Sequence, residues 1–188
     1  MNNIINYILT MCPVMLLSLP FFLIIRFTIY KMVLKTKVNW YHEILLLLLF
    51  MFILGLLSIA LTGNFNIRNF DIDRINLIPF KILVETCKEV FINHNLNYFI
   101  ISFLGNIIMF IPIGLLIPIL FKIKNLTLIF IGFSFSLFIE INQLFLVRGT
   151  DIDDIIFNTL GTILGLLIYK LLCKKFKNRL DKFKLIKL

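Results

Sequence analysis

The residues that could do chemistry are concentrated between positions 136 and 165, in a stretch otherwise as apolar as a bilayer interior. They combine carboxylates, carboxamides and one guanidinium: Glu140, Asn142, Gln143, Arg148, Asp151, Asp153, Asp154 and Asn158. Because polar groups are costly in hydrocarbon, a glutamate in such a setting indicates a functional site. The pattern predicts where the site lies more clearly than what it does.

Helical spacing divides these residues between two faces. Ser136, Glu140 and Gln143 share one face of a predicted helix, because they are separated by four and three residues. A second stripe follows on the next helix and ends in two glycines, which allow a neighbouring helix to approach closely. Its members are Asp151, Asp154, Asn158, Gly161 and Gly165.

Three polar side chains from three predicted helices reach a similar depth. At about 1.5 Å of rise per residue, Asn106, Glu140 and Asn158 each lie ~10–12 Å below the predicted outer end of their helix. We therefore expect a polar pocket that opens outward. Its mouth is assigned to Arg148, Asp151 and Asp154.

Several chemistries fit this predicted pocket, and the sequence leaves them open. The carboxylates of Glu140, Asp151 and Asp154, together with amide oxygens, suit a hard divalent cation such as Mg²⁺ or Ca²⁺. Arg148 could bind a lipid phosphate directly, and Glu140 could act as a general acid or base. The sequence offers these residues no Ser/His/Asp set, Cys/His zinc spacing or Gly-rich phosphate loop.

Structural explanations compete with the functional ones. Thr150 and Asp153 have the spacing of a capping box, so we expect Asp153 to cap the helix that begins there. Glu140 could be neutralised by an ion pair with Arg148. Asn106 could supply one interhelical hydrogen bond that serves packing alone.

The elements that must position these residues are transmembrane helices. The chain has 188 residues, 60% of them hydrophobic, which is more apolar surface than a soluble domain of this length can bury. Apolar runs of roughly 20 residues predict an all-α polytopic transmembrane bundle with about five spans. The predicted helices cover residues 4–27, 44–61, 98–121, 126–147 and 151–172. Residues 63–97 form a polar loop, in which the segment from Pro79 is either a short interfacial helix or solvated.

The formal charge of +9 is better explained by membrane topology than by nucleic-acid binding. With the N-terminus outside and the C-terminus inside, 14 Lys and Arg residues lie on the inner side and 5 on the outer. The basic C-terminal tail is then expected to lie on anionic headgroups. His42, beside Trp40 and Tyr41, is expected at the membrane interface. Three cysteines at different predicted depths imply no disulfide framework.

The order and spacing of four motifs resemble the VanZ-like family. The matching segments are Asn76-Leu-Ile-Pro-Phe80, residues 105–114, residues 136–140 with Gln143 and Arg148, and residues 151–161. The resemblance divides the chain into an additional N-terminal helix with a basic inner loop (1–43), a four-helix membrane domain (44–172) and a basic cytoplasmic tail (173–188). It implies functional positions at Asn106, Glu140, Gln143, Arg148, Asp151, Asp154 and Asn158.

The resemblance also implies a function at the cytoplasmic membrane. The family's namesake is associated with resistance to teicoplanin and similar lipoglycopeptides. We therefore expect a resistance or envelope factor whose outward pocket binds, or limits access to, a lipoglycopeptide or a lipid-linked envelope precursor. Two alternatives remain. One is a membrane enzyme acting on a lipid-linked phosphate or sugar, with Glu140 as acid or base and Asp151 and Asp154 holding a metal. The other is a structural or partner-binding membrane protein.

Overall fold

A computed structural model describes residues 2–34, 38–61, 72–92, 94, 103–146 and 149–184, and this part of the chain is mostly helical. The predicted all-α class is confirmed, and a π-helical turn, Tyr30–Leu34, follows the first helix. The α-helices are α1 (Asn2–Ile29), α2 (Trp40–Ala60), α3 (Lys81–Phe91), α4 (Gly105–Leu120), α5 (Asn125–Gln143) and α6 (Ile152–Leu180). Two short strands, β1 (Ile75–Asn76) and β2 (Thr150–Asp151), pair in parallel.

Long apolar helices make this a polytopic membrane protein. Among the described residues, four segments are long and apolar enough to cross a bilayer: Cys12–Met32, Trp40–Ala60, Asn125–Gln143 and Ile152–Phe183. Helix α4 is apolar but has 16 residues, or about 24 Å, which is shorter than a ~30 Å hydrocarbon core. The start of its predicted span, residues 98–102, lies outside the described residues. The number of spans and their orientation therefore stay predictions.

Two helix ends differ from the expected positions. Helix α5 ends at Gln143 and continues as a turn, although the apolar pattern predicted helix to residue 147. Helix α6 extends past the expected residue 172 to Leu180, with non-helical backbone angles at Phe176. The extension is rich in lysine, which has a good helix propensity. The basic residues that predicted a separate tail therefore continue the helix.

Glycines bring α4 and α6 into backbone contact, as the small-residue pattern predicted. A Cβ atom on Gly161 would collide with the carbonyl oxygen of Ile107, and one on Gly165 would collide with the carbonyl oxygen of Ile111. On α4, a Cβ on Gly114 would meet the carbonyl of Thr162. The residue later in α6 meets the residue later in α4, so the two helices run parallel.

Helix α5 runs antiparallel to α6, as their short connection predicted. Ser136 contacts Asn158, while Gly132, one turn earlier in α5, lies against Thr162, one turn later in α6. The C-terminal end of α5 therefore meets the N-terminal ends of α4 and α6. We call this end of the bundle the carboxylate end. A core of apolar side chains joins α2, α4 and α5 beneath it: Leu56, Phe110, Ile113 and Ile139.

The opposite end of the bundle joins the last described residues to the start of α2. His42 Nδ1–H donates to the carbonyl oxygen of Phe183 at 2.7 Å. The side-chain amide of Asn39 donates to the carbonyl oxygens of Lys182 and Lys184 at 3.0 and 3.1 Å. His42 is wholly buried within the protein, and its expected depth at the membrane interface, beside Trp40 and Tyr41, stays a prediction. The histidine therefore docks the C-terminal segment.

Candidate functional site

Four of the predicted site residues lie at the carboxylate end of the bundle. Helix α4 contributes Asn106, helix α5 contributes Glu140, and helix α6 contributes Asp154 and Asn158. The antiparallel pairing of α5 and α6 and the parallel pairing of α4 and α6 bring them together. Depth counted along the sequence placed Asn106, Glu140 and Asn158 at one level with Asp154 above them, whereas the structure pairs Asp154 with Asn106 and places Asn158 one turn deeper, against Ser136. Their functional roles stay predictions.

Glu140 is the buried carboxylate at the centre of this end. The residue is only 2% exposed. One carboxylate oxygen, Oε2, accepts the backbone N–H of Asp151 at 3.1 Å. The backbone carbonyl of Glu140 accepts the hydroxyl of Thr150 at 3.0 Å. Strand β2 therefore bonds to both the carboxylate and the backbone of Glu140, and the carboxylate also lies close enough to Asp154 for like charges to repel.

Asn106 and Asp154 join α4 to α6 at the same depth. The side-chain amide of Asn106 donates to Asp154 Oδ1 at 2.5 Å. This is an interhelical hydrogen bond, the structural role considered for Asn106, but its acceptor is one of the predicted site carboxylates. The contact therefore fixes the position of Asp154, and it places an amide beside the carboxylate pair.

Asn158 lies one turn further into the bundle and has an unsatisfied acceptor. Its amide nitrogen donates to Ser136 Oγ at 2.8 Å, which links α6 to α5. Its oxygen, Oδ1, is buried and has no hydrogen-bond partner among the described residues. A buried polar atom without a partner is uncommon in native proteins and calls for an explanation such as a bound group.

Asp151 connects the site to the polar loop. It caps α6, because its Oδ1 accepts the backbone N–H of Asp153 at 2.9 Å. Its other oxygen accepts the side-chain amide of Asn76 at 2.8 Å, and the two residues also pair between β1 and β2. Asn76 was not among the predicted site residues. The signal available for it was its place in the Asn76–Phe80 motif, which carries no information about distance.

The expectation that Asp153 caps its own helix is wrong. Asp153 is wholly buried, and its two oxygens accept the backbone N–H groups of Phe80 at 2.5 Å and Ile82 at 2.7 Å. It therefore caps α3, whose own N-cap residue, Phe80, supplies no side-chain hydrogen bond. A capping box joins residues three positions apart. The N–H donors that Asp153 contacts in the folded protein are more than seventy residues away in the sequence.

Gln143 and Arg148 are the two remaining predicted members. The side-chain amide of Gln143 donates to the carbonyl oxygen of Ala60 at 3.3 Å, so it joins α5 to the end of α2. Arg148 lies outside the described residues, so its place at the mouth and its ion pair with Glu140 stay predictions. Asn142 bonds within its own helix to the carbonyl of Phe138.

Within the described ranges, no three His, Cys, Asp or Glu side chains are grouped so that they could hold a metal ion. A cation held by fewer carboxylates together with amide oxygens, with Glu140, Asp151 and Asp154 as candidates, stays a prediction. Both oxygens of Asp151 are used by protein donors. The arrangement instead offers hydrogen-bond acceptors, and it suits a group that brings donors.

Comparison with known proteins finds a family match over the part of the chain that contains the candidate site. A family model described as VanZ/LLP1 matches residues 43–173, which is more than half of the chain. The protein named Protein VanZ from Enterococcus faecium is 42% identical over 82 residues, which cover 42% of this chain and 51% of that protein. The chain thus spans about half the length of this relative. No solved structure matches.

Proposed function

Since this chain belongs to the VanZ/LLP1 family, we propose that it is an envelope factor of the cytoplasmic membrane that lowers susceptibility to teicoplanin and related lipoglycopeptides. In this proposal, a polar pocket at the carboxylate end binds a lipid-tailed ligand or limits its access to the envelope. The predicted topology directs this end to the outer face. There it could meet a lipoglycopeptide or a lipid-linked precursor.

The observation that supports the proposal is a set of acceptors in which Glu140 and Asn158 are buried and Asp154 is half-buried. Glu140 is almost inaccessible, and Asn158 Oδ1 has no partner among the described residues. Buried acceptors gain most from a ligand that supplies N–H or O–H groups, because an unpaired buried polar atom is costly. Ammonium groups and sugar hydroxyls have this chemistry. Two neighbouring carboxylates disfavour a bare phosphate.

The test compares antibiotic susceptibility in cells that express the wild type, Glu140→Gln, Glu85→Gln or no protein. Glu85 is the matched control because it is an exposed glutamate on α3 whose ion pair to Lys81 is long, at 4.0 Å. We expect the wild type and Glu85→Gln to protect selectively against teicoplanin relative to vancomycin. Glu140→Gln should lose that protection several-fold at equal membrane abundance.

Two outcomes would separate this proposal from the others. Absence of protection by well-expressed wild type would remove the resistance function. A fall in abundance of Glu140→Gln in proportion to its lost protection would instead support a cluster that only fixes helix packing. Cell-wall precursors should keep the wild-type profile, since binding or exclusion consumes none of them.

A membrane enzyme acting on a lipid-linked phosphate or sugar is the second candidate. The specific observation is that Glu140 and Asp154 are neighbouring carboxyls in different surroundings, one held by a backbone amide and the other by Asn106. Paired carboxyls with different environments are a recurrent acid–base arrangement. Lipid extracts from expressing and non-expressing cells would then differ by an accumulated substrate or product. Identical profiles would exclude this function.

A further inference from the structure

An apolar segment between β1 and α3 is presented outward by the same aspartates that border the site. Leu77, Ile78 and Phe80 are 69%, 65% and 51% exposed, and Pro79 lies between them. Three large apolar side chains within four residues are costly to leave in water. We call residues 77–80 the apolar loop. The proposed site does not use these side chains.

The exposure of the apolar loop is built into the fold. At its start, Asn76 is held by Asp151, and its side-chain oxygen accepts the N–H of Ile78 at 3.3 Å. At its end, Asp153 accepts the N–H groups of Phe80 and Ile82. Phe80 has a φ of 63°, a left-handed conformation that is rare for a bulky residue. Such a conformation persists when the surroundings impose it, so the outward direction of these side chains is enforced.

The attachment points also determine the depth of the loop. Asp151 directly precedes α6 and Asp153 is its second residue, and α6 begins a segment apolar enough to span the membrane. The loop is therefore held at the boundary where that span ends. Polar residues flank it on both sides, with exposed Asp73 and Arg74 before it and the Lys81–Glu85 ion pair after it. Polar flanks around an exposed apolar centre are typical of segments that enter the interface of a bilayer.

We propose that the apolar loop is a membrane wedge, in which Leu77, Ile78 and Phe80 insert into the boundary between headgroups and acyl chains. The partner is the lipid surface itself. The depth of the attachment points favours lipid over a soluble partner, and the balanced flanking charges suit zwitterionic as well as anionic headgroups. The wedge does not depend on the proposed function of the carboxylate end.

The test places one environment-sensitive fluorophore on the full chain in phospholipid nanodiscs. Cys12, Cys87 and Cys173 are replaced by serine, and a nitrobenzoxadiazole label is attached at Ile78→Cys. The matched control is Lys88→Cys, an exposed position on α3. We expect the label at position 78 to emit at shorter wavelength, and to be quenched several-fold more by doxyl-labelled lipid than by aqueous iodide. The label at position 88 should show the reverse preference.

Each alternative result would overturn the wedge. Equal iodide quenching at positions 78 and 88 would place the loop in water. Protection of position 78 from both quenchers would indicate that another protein surface covers it. A further variant, Asp153→Asn in the Ile78→Cys background, should increase iodide quenching if that aspartate holds the loop. The label in the parent background decides the proposal even if this variant does not fold.

Discussion

Replacing Asp153 by alanine tests the assignment of this residue as the cap of α3. The structure assigns two hydrogen bonds to its carboxylate, from the backbone N–H groups of Phe80 and Ile82. A hydrogen bond to a charged group contributes about 1.5–3 kcal/mol, so the loss should be at least about 3 kcal/mol. An aspartate that only capped its own helix would contribute about 1 kcal/mol.

This loss should be local. The backbone contacts between α4 and α6 involve Gly161 and Gly165 and do not include Asp153, so global thermal unfolding in detergent should change little. Hydrogen exchange followed by mass spectrometry should show the amides of Phe80 and Ile82 exchanging about 100-fold faster, since about 1.4 kcal/mol corresponds to each factor of ten. Asp153→Asn keeps one acceptor oxygen and should lose less protection. Unchanged exchange at both amides in Asp153→Ala would refute the cap assignment.

Three further substitutions test the packing of the bundle. Gly161→Ala should lower the midpoint of thermal unfolding, because overpacking costs about 1–3 kcal/mol and exceeds the helix-propensity gain of about 1 kcal/mol; a raised midpoint would contradict the close helix approach. Arg26 on α1 forms an ion pair with Glu43 on α2, and both side chains are mostly buried. Arg26→Leu should lower the free energy of chemical unfolding by about 3–5 kcal/mol, because it leaves Glu43 without its paired charge. Adding Glu43→Leu should restore most of that stability, and an equally unstable double variant would argue against the pair. His42→Leu removes the donor to the Phe183 carbonyl, so limited proteolysis of the C-terminal segment should accelerate several-fold; an unchanged rate would show that His42 does not dock it.

Local pattern was sufficient to predict the long helices, apart from some of their ends, and the polar stretch that contributes Glu140, Asp154 and Asn158 to the carboxylate end. An apolar helix in a membrane satisfies its own backbone hydrogen bonds, so a run of apolar residues determines it almost without reference to the rest of the chain. The spacing of Gly161 and Gly165 likewise predicted a close helix approach. Two glycines on one face leave room for a neighbouring backbone, whichever helix supplies it. Depth counting placed Asn106, Glu140 and Asn158 at one level, but packing puts Asn158 one turn deeper, against Ser136.

Pairings between distant residues were decided by the tertiary structure. Asp153 has the local spacing of a cap, yet its oxygens are used by amides 73 and 71 residues away. Asp151 meets Asn76 across 75 residues, and His42 meets Phe183 across 141. A buried acceptor bonds to whichever donor packing brings within reach, and helical periodicity contains no information about that donor. The sequence by itself determined the helical membrane class and the polar stripes. Only the packed structure decided which residues of these stripes form hydrogen bonds between elements. It also decided which acceptors, such as Asn158 Oδ1, have no partner among the described residues.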